Sequence, residues 1–448
     1  MLDISKEITD LWYKHMSIVV VEETGKIYFY NDETHGLYKE MKDIRIKNGI
    51  KIWIDETNKE EINNKEWKPV VFTTTLFNQV KNNLHGRIEP LSAFDKKEWR
   101  INCKNGYIDM LYGGFQEHVD FDKTPYLSFI QIPVWYDEKA KCPTINKFII
   151  DVFGADRLAF IYEIIGYLLY RTNKFQKAFI FFGEASSGKT TFIELLRVFL
   201  GEKNIQDISI QKINQRFQMA QLRSRLANIY DDLPIQKLNY IMNFKQVVTN
   251  KTLTGEIKGV QDLVTWNNFC KQVYTTNNLP EVHETTGDDF WRRIILIQCT
   301  NFFDNGNKDF DIGEKLEKEL SGLLNMALFH FKNLIERKHF MERFDNIDTV
   351  KGIWLINVSP LKLFLDTHCT LIETEEEECE YFRTQVNAFR KESNALPISM
   401  NLITRRLKDL GVKKKQKSDG NRYYFGVKVN TPLIEIQLKN NEMILDEF

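Results

Sequence analysis

The chain has 448 residues, 43% of them hydrophobic and 27% charged, with a formal net charge of −1. That composition fits a soluble globular protein with room for two to four domains, and it does not itself announce a nucleic-acid partner. Six scattered cysteines (Cys103, Cys142, Cys270, Cys299, Cys369, Cys379) form no Cys-x-x-Cys pair, which argues against a zinc site or a disulfide framework and fits a reducing cytoplasm.

Residues 1 to about 140 mix short strand-like runs, such as Ser17 to Val21 and Lys26 to Tyr30, with aromatic-rich turns. An Asn- and Lys-rich stretch around 57 to 66 reads as an exposed loop. Asp120-Phe121-Asp122 invites comparison with the paired aspartates that hold metals in nucleotidyl transferases. It precedes a Lys-Thr-Pro turn with no other carboxylate or histidine motif arranged around it, so it reads as an acidic turn. Residues 145 to 172 read as two helices, with Leu158, Ile161, Ile165, Leu168 and Leu169 forming an apolar stripe. No apolar run approaches the roughly 20 residues that span a bilayer, and Met1 to Glu7 lack the apolar core of a signal peptide.

The most informative segment follows. An apolar strand, Ala178 to Phe182, feeds Gly183-Glu184-Ala185-Ser186-Ser187-Gly188-Lys189-Thr190-Thr191, and helical periodicity continues to Leu200. Glycines at 183 and 188 let successive backbone N–H groups turn inward toward phosphate oxygens. The helix N-terminus adds partial positive charge. Lys189 can reach the β- and γ-phosphates, and the Thr190 hydroxyl can ligate Mg²⁺. The segment therefore predicts nucleoside triphosphate binding, with ATP and Mg²⁺ as cofactors.

Downstream, Leu226 to Tyr230 is an apolar strand that ends in Asp231-Asp232. An ATPase needs an acidic group there, Asp231 for the metal shell and Asp232 to polarise water. A bare Asp-Asp also fits a turn. Lys271 to Thr276 is another strand, ending in Asn277-Asn278, and Asn277 is placed to sense the γ-phosphate or the attacking water. Arg292 and Arg293 precede the strand Ile294 to Ile297, and a guanidinium there suits transition-state phosphate. Ring ATPases take such a finger from the neighbouring subunit, whereas an isolated Arg-Arg pair also fits a surface ion pair. Residues 311 to 338 form a long amphipathic helical region.

The last unit runs from about 359 to 430. Residues 398 to 410 read as a helix stopped by Gly411, and a basic hairpin follows, carrying Lys413, Lys414, Lys415, Lys417 and Arg422 with its turn at Asp419-Gly420. Helix then basic hairpin is the outline of a winged helix that contacts DNA phosphates. The acidic stretch Glu373 to Glu380 reads as an exposed helix start, or as a segment that docks the basic unit when DNA is absent. His368-Cys369 reads as an ordinary helix end.

Four elements in order, GEASSGKTT, the strand ending in Asp231-Asp232, TTNNLP and FWRRIILI, resemble superfamily III helicases, above all the helicase part of phage, plasmid and poxvirus-type primase-helicases. The likeness spans roughly residues 100 to 340. The resemblance implies an α/β fold with an AAA+-type P-loop ATPase core (176–340), an N-terminal α+β region (1–140), a helical collar for oligomerisation (141–175) around Glu163 to Leu168, and a C-terminal winged-helix-like domain (341–448). It implies that Thr249 to Val260 leads to a DNA-binding hairpin with Lys258 as its contact, although Glu256 stands where the family usually has Asp. It implies an ATP-driven replicative DNA helicase of a phage, plasmid or virus-like element, acting in the host cytoplasm. The expected assembly is a homo-oligomeric ring, a hexamer, on single-stranded or forked DNA. Two other readings stay open: an ATP-switched initiator or loader without processive unwinding, and a full primase-helicase. The first 100 residues are short and poor in catalytic motifs, so a primase or polymerase partner is expected as a separate chain.

Overall fold

A computed structural model describes residues 3–445 except 65–67, 85–86, 121–122, 124, 235, 239–240, 250, 259–262, 283–286, 300, 304–308, 342–345, 359, 393–397, 434–435 and 440–441. The architecture is mixed α/β with several sheets. Among the described residues no helix is long and apolar enough to cross a membrane.

The chain begins with a helix, Ile4–Tyr13, followed by a four-stranded sheet in the order Lys39–Glu40, Ile27–Tyr30, Ser17–Val21, Arg87–Glu89. Strand alternation sorts its side chains to two buried faces. Ile18 and Phe29 pack with Ile8, Ile46, Ile50 and Val80, while Val19, Val21 and Tyr30 pack with Tyr38, Phe94 and Leu127. The loop expected around 57 to 66 is only partly a loop, because a helix runs from Asp43 through Glu60. Its buried residues Ile46, Ile50, Trp53 and Ile54 have helical spacing, and their burial carries the polar Asn-Lys end into the helix. Asp120 is exposed and pairs with Lys123 at 3.1 Å; Phe121 and Asp122 lie outside the described residues.

Residues 100–117 form a second small antiparallel sheet, whose Ile101 and Ile108 share one core with Ile161 and Phe181. The apolar core is therefore continuous across residue 140. Two helices follow, Pro143–Phe153 and Leu158–Leu169. The second was expected to offer a collar surface for ring assembly. Instead every residue from Phe160 to Leu169 is buried within the chain, facing Leu323, Ala327 and Phe331 of the helix Leu320–Arg337. Its only carboxylate, Glu163, is buried and paired with Arg337 at 2.7 Å. The amphipathic region 311–338 is two helices, Ile312–Glu317 and Leu320–Arg337. At the break, the Glu319 carboxylate accepts the N–H groups of Thr144 (2.9 Å) and Ile145 (3.0 Å) at the start of the Pro143 helix.

The central sheet has five parallel strands in the order Ile294–Gln298, Ala178–Phe182, Lys271–Thr276, Ala227–Tyr230, Ile205–Gln206. Its middle strands are buried on both faces; Ala178–Phe182 is apolar throughout, whereas Lys271–Thr276 buries Lys271, Gln272, Thr275 and Thr276 as well. Phe179 and Phe181 face Phe153 and Phe192, while Ile180 and Phe182 face the cluster that holds Phe244, Trp291 and Trp354. Because all five strands run the same way, their C-terminal ends share one edge.

The C-terminal unit runs helix Pro360–His368, strand Cys369–Thr370, strand Glu376–Glu378, helix Cys379–Glu392, helix Met400–Asp409, strand Lys413–Gln416, strand Arg422–Phe425 and strand Lys428–Val429, which pairs with Cys369–Thr370. Phe364, Phe382, Val386, Ile403, Leu407 and Tyr424 form its core. The acidic stretch is not a helix start. Glu376–Glu378 is a strand that pairs antiparallel with Arg422–Phe425. His368 ends its helix and stacks on Phe364 at 5.3 Å between centroids.

Candidate functional site

Strand Ala178–Phe182 ends at Gly183, and helix Lys189–Leu200 begins six residues later. The turn between them needs glycine at both ends. Gly183 (φ +156°) lies against the Cys299 carbonyl, where a Cβ would collide, and Gly188 (φ +87°) would place a Cβ 2.6 Å from Val152 Cγ2. Glu184, Ala185 and Ser186 are exposed, Ser187 is buried, and Thr190 is exposed beside half-buried Thr191.

Lys189 opens the helix yet is 8% exposed. Its Nζ folds back into the turn and donates to the Gly183 carbonyl (2.8 Å), the Glu184 carbonyl (2.7 Å) and Ser187 Oγ (3.0 Å). Burial lowers its pKa, and Cys299 together with the Asp231, Asp232 and Glu184 carboxylates partly offsets that. The lysine thus sits in the field of both aspartates.

Sheet register explains how those aspartates arrive. Tyr230 pairs with Tyr274, so Asp231 falls beside Thr275 on the next strand. Thr275 Oγ1 donates to Asp231 Oδ1, and the Asp232 N–H donates to Thr275 Oγ1 at 2.9 Å. Asp232 adopts φ +57°, which turns the chain sharply at the strand end. Thr276 pairs with Phe182, and its carbonyl accepts the Gly183 N–H at 3.3 Å. The next residue, Asn277, is exposed at that same edge. Gly183 to Thr191, Asp231, Asp232 and Asn277 are therefore gathered at one end of the sheet.

Arg292 and Arg293 are not part of that cluster. They precede Ile294, which starts alongside Ala178, so they lie at the opposite end of the strand from the glycine turn. Arg293 is 8% exposed and donates to the Asp289 carbonyl within its own helix end. Arg292 is exposed, so the accessible guanidinium belongs to Arg292, the second choice from sequence.

Lys258 is exposed beyond the strand Thr252–Gly255, which pairs with Val264–Asn267 to make a hairpin. Glu256 in this hairpin pairs with Arg216 at 2.6 Å. Asn250, Gly259 and Val260 lie outside the described residues. In the C-terminal hairpin Lys413, Lys415, Lys417 and Arg422 are exposed. Lys414 turns inward, with Nζ 3.4 Å from Thr404 Oγ1, because strand alternation points it at the core. It is a poor phosphate contact.

Sequence reasoning missed two contributors. Thr275 gives no signal until register puts it beside Asp231. Phe303, after the last strand, donates its N–H to the Ser186 carbonyl at 2.9 Å and braces the turn from outside. Among the described residues no group of three or more His, Cys, Asp or Glu side chains could hold a metal ion.

Comparison with known proteins adds two family matches. The family described as D5 N terminal like matches residues 7–154. A family of unknown function, DUF5906, matches residues 181–293. The first carries the likeness upstream of residue 100, where sequence reading had begun it. No curated protein matches the chain. Among solved structures, the apo C-terminal region of NrS-1 (305–718) is 12% identical, with a TM-score of 0.45 over 96% of this chain and 100% of that one. An A form of the apo NrS-1 C-terminal region gives a TM-score of 0.47 at 12% identity, over 95% and 99%. Both matched families are found in phage and viral primase-helicase proteins, and this chain is similar to each over part of its length.

Proposed function

We propose that the chain is an ATP-driven DNA helicase of a replicating phage, plasmid or virus-like element, working as a ring. The observation that carries the reading is the convergence at one sheet edge of a glycine turn, a buried lysine at a helix N-terminus and two strand-end aspartates. Phosphates would replace the carbonyls that now hold Lys189, and the backbone N–H groups at the helix start would meet their charge. Thr190 and Asp231 offer one hydroxyl and one carboxylate, the sparse oxygen set that suits Mg²⁺, which keeps water and phosphate oxygens in its other positions. Bound there, Mg²⁺ would neutralise charge on the β- and γ-phosphates. Asp232 and Asn277 would orient the attacking water.

Arg292, at the far end of the sheet, cannot serve its own turn and would act on the neighbouring subunit's nucleotide. Lys258 would carry the motion to a strand in the ring's channel. The order helix, two short strands, helix, helix, strand, strand in residues 360–425 supports a winged-helix-like unit that contributes further DNA affinity.

The test is ATP hydrolysis and displacement of a strand from a forked duplex by the purified chain. Lys189→Ala should abolish both while the far-UV spectrum is unchanged. Full hydrolysis in that variant would refute the site. Hydrolysis with no displacement in the wild type would favour an ATP-switched loader.

A further inference from the structure

We propose that the outer face of the C-terminal three-stranded sheet is a stacking platform for single-stranded nucleic acid. The register fixes which side chains share this face. Lys413 pairs with Phe425 and Lys415 with Tyr423 on one side, and Glu376 pairs with Phe425 and Glu378 with Tyr423 on the other. Tyr424, between the two aromatics, is buried in the core against Phe382. Tyr423 and Phe425 therefore point away from the core, two residues apart on one strand, or about 7 Å.

Cations lie over both rings, and the Tyr423 hydroxyl donates to Asp419 Oδ2 at 2.8 Å. Lys417 Nζ lies 4.4 Å from the Tyr423 centroid and 5.8 Å from that of Phe425, and Lys415 Nζ lies 5.4 Å from Phe425. A nucleobase can replace an ammonium on each ring, and the released lysine can then take the phosphate of the same nucleotide. Lys413 and Arg422 extend the positive charge along the hairpin. Glu376 and Glu378 border the platform on its far strand, and Glu376 already holds Lys417. A phosphate backbone is thereby confined to the hairpin side.

The charge alone would serve a duplex equally well. The rings decide the partner, because the base faces of a duplex are stacked inside and only an unpaired base can lie on them.

This inference rests on the reading of the chain as a DNA-binding protein, and the experiment separates the two. Binding of the full chain is measured to a labelled oligothymidylate of about 20 nucleotides and to a duplex of equal length, a span that covers one such site. Tyr423→Ala with Phe425→Ala should weaken single-strand binding by about tenfold or more and leave duplex binding within about twofold. Neither ring belongs to the core cluster, so melting should be unchanged. Lys413→Ala with Lys415→Ala should weaken both. A strand carrying 5-iododeoxyuridine should photocross-link to Tyr423 or Phe425 in the wild type. Unaltered single-strand binding by the aromatic variant, equal losses for strand and duplex, or cross-links only outside this sheet would overturn the platform while leaving the DNA reading intact. A wild-type chain that binds neither probe overturns the DNA reading itself.

Discussion

Thr275 joins the two aspartates of the site: its hydroxyl donates to Asp231 Oδ1 and accepts the Asp232 N–H at 2.9 Å. One side chain thus sets the position of the proposed metal carboxylate and of the backbone carrying the proposed water-orienting one. Thr275→Val keeps the shape and removes the hydroxyl. It should lower kcat for ATP hydrolysis by about tenfold, the loss of one charged hydrogen bond, with KM for ATP nearly unchanged because the glycine turn is intact. Thr275→Ser should restore the rate. Steady-state kinetics of the three proteins check this.

The two arginines should separate cleanly. Arg293 is buried and bonded within its own chain, so Arg293→Ala should cost stability, about 1.5–3 kcal/mol for a lost charged hydrogen bond. Arg292→Ala should change stability by less than about 0.5 kcal/mol and yet cut hydrolysis by roughly 10³-fold or more. Mixing Arg292→Ala with Lys189→Ala subunits should recover activity, since each supplies what the other lacks. Denaturant melts and ATPase assays of mixed rings test both halves.

Lys258 is exposed between the two strands of its hairpin. Lys258→Ala should leave melting and basal hydrolysis within about twofold, as expected for a surface substitution, while strand displacement is lost. A gel-based unwinding assay run beside a phosphate-release assay distinguishes this uncoupling from general damage.

Lys271 gives a stability prediction. It is fully buried in the central sheet, where its Nζ donates to the Tyr170 carbonyl and lies 5.0 Å from the Tyr167 ring centroid. Burial pushes its pKa well below the ordinary lysine value of 10.5. Between that depressed value and 10.5 the unfolded chain binds more protons than the folded one, so stability rises with pH across this window and is lost as pH falls. Relative to Lys271→Met, the wild type should gain stability with a slope of at most about 1.4 kcal/mol per pH unit there, and the difference should flatten below it. Urea titrations at a series of pH values measure this directly.

The central site was legible in sequence for a physical reason. Strand Ala178–Phe182 is buried on both faces and is an unbroken apolar run, and the tight turn after it carries glycine where φ is positive. Both features survive in one dimension. Thr275 was not legible, since a strand hydroxyl acquires meaning only when register sets it beside Asp231. Helix Asp43–Glu60 was obscured because Lys and Asn dilute the stripe of Ile46, Ile50, Trp53 and Ile54. Glu376–Glu378 has poor strand propensity, and pairing with Arg422–Phe425 overrides it. The helix Leu158–Leu169 was legible from its apolar stripe, but burial of Phe160 to Leu169 depends largely on a helix more than 150 residues away in sequence, Leu320–Arg337.

The strand Ile294–Gln298 begins two residues after Arg292, and the chain that leaves it reaches Phe303, whose N–H holds the Ser186 carbonyl. In a ring, one end of this strand would feel the neighbour's nucleotide while the other end steadies the subunit's own. It is short and hydrogen-bonded along its length to Ala178–Phe182, so it would shift as a stiff rod rather than bend. Firing order around such a ring would then be a mechanical property of a single strand, with each subunit's readiness set by the occupancy of the next.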